Sequence, residues 1–181
     1  EAEQKAKEAA EAARKAKEKA KKAAQTGSAG ATPAPIEKAK IGLVYGSSTG
    51  NTADIAQQIH QAFGEDSFVI RNVTEISLEV FKHFDNIILG VPTWHIGEMQ
   101  DDWAAFLPEL DKGLDLKGKK LAIFGLGDGV GYGDTYVDAM QELWEKFKPT
   151  GLQWVGLWPT EGYIFEKSLA IQDGKFLGLV I

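Results

Sequence analysis

From Lys40 onward, short apolar runs rich in β-forming residues alternate with segments of helical periodicity. This alternation restricts the chain to very few architectures. The runs lie at 41–45, 68–73, 86–91, 119–125, 152–158 and 176–181. Between them, Ile55, Ala56, Ile59, Ala62 and Phe63 share one helical face, as do Val137, Met140, Leu143, Trp144 and Phe147. A weaker helical candidate spans 100–110 and ends near Pro108. Strands alternating with helices predict a parallel sheet covered on both faces. The nearly unbroken apolar character of NIILGV and KLAIFG suits its central strands.

The first strand runs straight into GSSTGNT, residues 46–52, and a helical pattern opens directly behind it. That order places free main-chain N–H groups at a helix N-terminus, where their partial positive charge stabilises an anion. Ser47, Ser48, Thr49, Asn51 and Thr52 add hydroxyl or amide groups, and Gly50 permits close approach of the backbone. The loop lacks the lysine a triphosphate-binding loop places before its terminal Ser or Thr. It lacks the dinucleotide fingerprint as well, because Gly46 and Gly50 are four apart. A single phosphate on a cofactor, held without magnesium, fits better. Taken alone, the loop is equally a capped strand–helix turn.

Two further strands end in Gly-rich loops, NIILG-VPTWHIGEMQDDW and LAIFG-LGDGVGYGDTY. Open α/β sheets bind ligands outside the carboxyl ends of their strands. Each of these loops carries an aromatic residue that it cannot bury, Trp94 or Tyr132. Two such residues beside one crevice suggest a flat ligand held by stacking.

Residues 1–25 differ in character. Alanine, lysine and glutamate dominate, with Glu-first i,i+4 pairs at Glu1/Lys5, Glu3/Lys7, Glu11/Lys15 and Glu18/Lys22. With alanine as its only apolar side chain, this segment is expected to be a solvated helix acting as spacer or docking element. Residues 26–39, containing TGSAGATPAP, read as a flexible linker, and 40–181 as the folded domain.

Charge follows the same division. Residues 1–40 carry ten Lys/Arg and six Asp/Glu, whereas the remainder carries ten and twenty. Such a body is expected to repel nucleic acid and anionic membrane and to steer towards basic partners, although ordinary solubility accounts for it equally. No window approaches the roughly 18 uninterrupted apolar residues of a membrane span. The absence of cysteine excludes disulfides, thiol catalysis and cysteine-based metal sites. His60, His83 and His95 form no helical pair, so a histidine-rich metal site is not expected. His95 has no visible nucleophile or carboxylate partner, and no catalytic residue is assigned. Trp103, Trp144, Trp154 and Trp158 are expected to pack within the body of the domain.

With all three loops in view, residues 40–181 resemble a flavodoxin of the long-chain type. SSTGNT at 47–52 resembles the family's FMN phosphate loop, PTWHIGE at 92–98 the loop bearing the inner stacking tryptophan, and FGLGDGVGYGD at 124–134 the loop bearing the outer tyrosine. The resemblance implies a doubly wound α/β/α fold with a five-stranded parallel sheet of order 2-1-3-4-5. The implied FMN site comprises Ser47, Ser48, Thr49, Gly50, Asn51 and Thr52 at the phosphate. Pro92, Thr93, Trp94, His95, Ile96 and Gly97 form one side of the ring, and Leu126, Gly127, Asp128, Tyr132 and Asp134 the other. About eighteen residues separate LQWVGLW from FLGLVI, resembling the insertion that splits the fifth strand in long-chain members.

The implied activity is low-potential one-electron transfer on non-covalently bound FMN, chiefly between semiquinone and hydroquinone, rather than turnover of a substrate of its own. Partners would be basic-faced redox proteins such as a reductase, photosystem or oxidoreductase. The chain would be monomeric unless the N-terminal helix docks onto one of them, and would reside in cytosol or plastid stroma. Two alternatives are an FMN module of a larger multidomain oxidoreductase and a flavin-free interaction domain. His95 stands where related proteins often have Asn or Gly. The peptide between His95 and Ile96 is expected to flip towards the reduced flavin N5, at greater cost than with glycine. His95 as a plain solvent-facing loop residue is the alternative. The chain also stops at Ile181, before the acidic stretch and final helix usual in the family, so a truncated or engineered form is expected.

Overall fold

The computed structural model describes residues 39–64 and 68–181. The predicted helix 1–25 and the linker lie outside the described residues, except Ala39, which opens the first strand. Strand β1 (Ala39–Tyr45) leads through the Gly-rich loop into α1 (Asn51–Phe63). Strand β2 (Phe68–Asn72) is followed by 3-10 turns and then by β3 (Phe84–Trp94), which hairpins into the short β4 (Glu98–Met99). Helix α2 (Asp101–Phe106) passes into a 3-10 segment, Leu107–Lys112, where Pro108 enters. Strand β5 (Lys120–Leu126) and helix α3 (Ala139–Phe147) complete the alternating part.

As the resemblance implied, the fifth strand is split into two short pieces. Strand β6 (Gln153–Trp154) pairs with Lys120 and Leu121 at the start of β5, and β10 (Leu179–Val180) pairs with Phe124 and Gly125 near its end. Gly156, at φ +84°, turns the chain away after the first piece. The intervening segment holds β7 (Trp158–Pro159), β8 (Ile171–Gln172) and β9 (Lys175–Phe176), an antiparallel sheet of order β7-β9-β8. The main sheet has the order β2-β1-β3-β5-β10, and these five strands pair in parallel, as the resemblance implied.

Alternation along each strand feeds two separate cores, because successive side chains point to opposite faces. Leu43 and Phe124 pack with Ala56 of α1 on one face. Val44, Ile87, Leu89 and Ile123 pack with Trp103, Met140, Leu143 and Phe147 on the other. Trp103, Trp144 and Trp154 pack as expected, whereas Trp158 stays exposed at the surface. Trp103 is fully buried, Trp144 meets Trp154 edge-on at 6.3 Å, Trp154 Nε1 donates to the Leu177 carbonyl, and Trp158 Nε1 donates to the Tyr163 hydroxyl. Parallel pairing brings the carboxyl ends of β1, β3 and β5 to one edge. The three predicted loops therefore leave the sheet side by side.

Candidate functional site

The anion loop begins at Gly46, whose N–H donates to the Gly90 carbonyl at 3.1 Å. Gly50 caps α1 with φ +99° and makes no side-chain cap bond. Ser47 Oγ accepts from the N–H groups of Gly50 and Ala53 at 3.2 and 3.4 Å. A serine-capped turn is thus present, but through two long bonds. The first-turn amides have no helical carbonyl to bond, and Ser48, Thr49 and Asn51 remain exposed. Thr52 is buried.

The second loop is the turn of the β3–β4 hairpin, in which Trp94 pairs with Glu98 and Thr93 with Met99. His95 sits at φ +45° and Gly97 at φ +94°. The left-handed region costs a residue with a Cβ about 1–2 kcal/mol, so the turn is strained at His95 and relaxed at Gly97. Thr93 Oγ1 accepts from the Ala139 N–H at 3.2 Å, which pins the end of β3 to the start of α3.

The third loop folds on itself. Asp128 Oδ1 accepts from the N–H groups of Val130 and Gly131 at 3.0 and 2.8 Å, and its carbonyl accepts from Tyr132 N–H at 2.9 Å. The inserted segment braces it from outside: the N–H groups of Glu166 and Lys167 donate to the Gly133 carbonyl, and Tyr136 N–H donates to the Lys167 carbonyl. Leu169 N–H donates to Asp138 Oδ1 at 2.6 Å. Burial raises the Asp138 carboxyl above its ordinary range, against the lowering effects of that bond and of Lys167. Burial likewise raises the Tyr136 phenol, with Tyr163 and Asp128 adding to it. Val137, buried and β-branched, takes φ +52° immediately before α3. It had been counted on the helical face, but the helix starts two residues later.

Two cavities flank Trp94. One of about 230 Å³ reaches Ser48, Glu98 and Asp101, and the other, of about 240 Å³, lies among Trp94, Tyr132, Thr135, Tyr136 and Val137. His95 borders both. Neither is lined by Lys or Arg. Tyr132 remains 45% exposed, as expected of a residue that its own loop cannot cover. Trp94 Nε1 and Thr135 Oγ1 are buried there without a hydrogen-bond partner.

Of the predicted site residues, Ser48, Thr93, Trp94, His95, Gly127, Asp128 and Tyr132 line these cavities. Ser47, Thr49, Gly50, Asn51 and Thr52 form the neighbouring anion loop. Pro92 and Leu126 occupy strand ends, Ile96 projects at the hairpin tip, Gly97 packs near Asp138, and Asp134 is exposed in a 3-10 turn. Sequence reasoning missed Thr135, Tyr136 and Val137. The strand-loop-helix pattern located their loop, but nothing marked which side chains would turn inward. Gln100, buried behind the anion loop, was also missed.

A flavodoxin family profile matches residues 43–175. This chain belongs to the flavodoxin family. It is 48% identical over 144 residues to a flavodoxin of Picosynechococcus, covering 79% of this chain and 84% of that protein. It is 46% identical to a flavodoxin of Synechocystis, covering 78% and 84%. The structure of Fusobacterium nucleatum flavodoxin bound to flavin mononucleotide superposes with a TM-score of 0.71 at 31% identity, covering 77% of this chain and 84% of that one. Flavodoxin membership accounts for three loops meeting at one sheet edge, each leaving a different parallel strand.

Proposed function

We infer that this chain is a low-potential one-electron carrier that binds FMN non-covalently. The observation that carries the reading is the pairing of a cation-free anion loop with an aromatic cavity holding two buried, unpartnered polar atoms. Trp94 Nε1 and Thr135 Oγ1 need partners that a flat heteroaromatic ring with polar edges supplies, so the residues fit the group. The family, and the FMN bound to the Fusobacterium nucleatum relative, support the same cofactor.

FMN, when bound, supplies the one-electron redox chemistry. The protein's part is to hold and tune it. Main-chain N–H groups of residues 48–52, with Ser and Thr hydroxyls, would hold the phosphate through the partial charge of the α1 N-terminus. Trp94 and Tyr132 would flank the ring and exclude water from it. Glu98, Asp101 and Asp128 surround the cavities with no Lys or Arg among the lining, which would oppose added negative charge and lower the potential. The turn at His95 holds a peptide whose carbonyl would accept a hydrogen bond from a protonated ring nitrogen.

The acidic body, together with Ile96 and Val130 exposed near the cavity, suits docking to basic-faced partners such as a reductase, photosystem or oxidoreductase. Among the described residues no helix is long and apolar enough to cross a membrane. The reading places the protein in cytosol or stroma, as a monomer. Residues 1–25 would act as a spacer or docking element, and 26–38 as its linker. The test is titration of the apoprotein with FMN. Stoichiometric binding with quenched flavin fluorescence is expected, and a protein that rejects FMN would overturn the reading.

A further inference from the structure

Gln100 follows β4 and is 1% exposed, yet it makes more contacts than its position requires. Its Oε1 accepts from the Trp103 N–H at 3.2 Å, capping α2. That bond fixes the amide orientation, because an N–H cannot donate to the NH2 end. The Nε2 group therefore has both hydrogens to place. One goes to Asp102 Oδ2 at 2.7 Å and the other to Ser48 Oγ at 3.2 Å, across 52 positions of sequence.

The packing beneath is equally close. A Cβ on Gly46 would stand 2.2 Å from Gln100 Oε1 and 2.5 Å from Trp103 Cδ1, so only glycine lets the anion loop rest on these two side chains. Trp103 Nε1 and Gly46 N–H share the Gly90 carbonyl, at 2.9 and 3.1 Å. Gln100 thus lies against the first residue of the anion loop and holds its third. It also continues directly from the hairpin arm whose Glu98 pairs with Trp94. Capping α2 accounts for one of its three bonds, and Ser, Thr, Asp or Asn serve that purpose better.

We propose that Gln100 is a positioning residue that fixes the distance between the anion loop and the Trp94 hairpin, so that phosphate and ring are engaged together. The proposal rests on the FMN reading above. FMN is then a two-point ligand. Once one end is bound, the other binds at an effective concentration set by how firmly the two subsites are spaced. Losing the Gln100 tie leaves each subsite intact and weakens only their joint use.

The experiment measures apoprotein affinities for FMN, riboflavin and inorganic phosphate in wild type, Gln100→Leu and Gln100→Asn. Gln100→Asn keeps a capping oxygen for α2 but is one methylene too short to hold Ser48. Loss of one buried side-chain hydrogen bond predicts a fall in FMN affinity of about tenfold in each variant. Riboflavin and inorganic phosphate affinities should change by less than about twofold in both variants. Equal losses for all three ligands would make Gln100 a fold residue and overturn the proposal. So would an unchanged ratio of FMN to riboflavin affinity in both variants. A wild-type protein that binds no FMN would instead overturn the reading beneath it.

Discussion

His95 offers a prediction in which stability and redox behaviour are expected to move together. Its φ of +45° lies in the left-handed region, and its side chain is exposed, so replacing it alters backbone cost far more than burial. Alanine there retains a penalty of about 1–2 kcal/mol, which glycine escapes. Glycine also gives the unfolded chain more freedom, an opposing effect of roughly 0.5–1 kcal/mol. His95→Gly should therefore be more stable than His95→Ala by about 0.5–1 kcal/mol, the reverse of their order in a helix or strand. Denaturant unfolding of both apoproteins measures this directly. In the FMN-loaded protein, glycine, free of a Cβ penalty in either orientation of the peptide, should ease reorientation of the turn. About 1 kcal/mol on a one-electron step corresponds to roughly 40 mV. Potentiometric titration of His95→Gly should show the two one-electron potentials moving apart by about that amount. An alanine variant at least as stable as the glycine one would refute the strain at His95. Unmoved potentials would refute the turn's part in tuning.

Further expectations concern the two aromatic residues at the cavity and the buried Asp138. Tyr132→Ala and Trp94→Ala should each weaken FMN binding, by about 10- to 100-fold for the loss of an aromatic face and its contact area, as read by flavin fluorescence. Burial raises the Asp138 carboxyl, so folding favours its protonated form; the stability this contributes is fully present below the ordinary value of 3.8 and is lost as pH rises through the folded-state value. Asp138→Asn keeps an acceptor for Leu169 N–H and cannot ionise. Its stability relative to wild type should therefore rise with pH across that window in denaturant unfolding, and a flat difference would exclude the burial effect.

The parts of the fold that were legible in sequence are those governed by local pattern. Central strands β3 and β5 announced themselves as continuous apolar runs because both faces meet helices, and Val44 and Leu43 alternate between cores just as a period of two requires. The split of the fifth strand was legible in its two separated apolar runs, but the length of the first piece was not: LQWVGLW is largely apolar, while Gly156 sets the end of the piece through a backbone angle that hydrophobicity does not report. The first turn of α3 was misplaced for a similar reason: Val137 has the right spacing for the helix but a positive φ before it. In the site, the loop residues could be read because glycine, small polar and aromatic residues cluster at strand ends. Gln100 was invisible because its partner Ser48 is distant in sequence, and a single buried amide carries no periodic signature. Asp134 was placed in the site by its neighbours in the motif, whereas the 3-10 turn directs it to solvent.

The most direct test of the account is reconstitution with FMN followed by potentiometric titration. The expected result is one FMN per chain and two resolved one-electron steps, the lower lying well below that of free FMN. A protein that binds FMN yet holds it at or above the potential of the free cofactor would contradict the proposed low-potential carrier, and with it the role given to the cation-free, acidic lining.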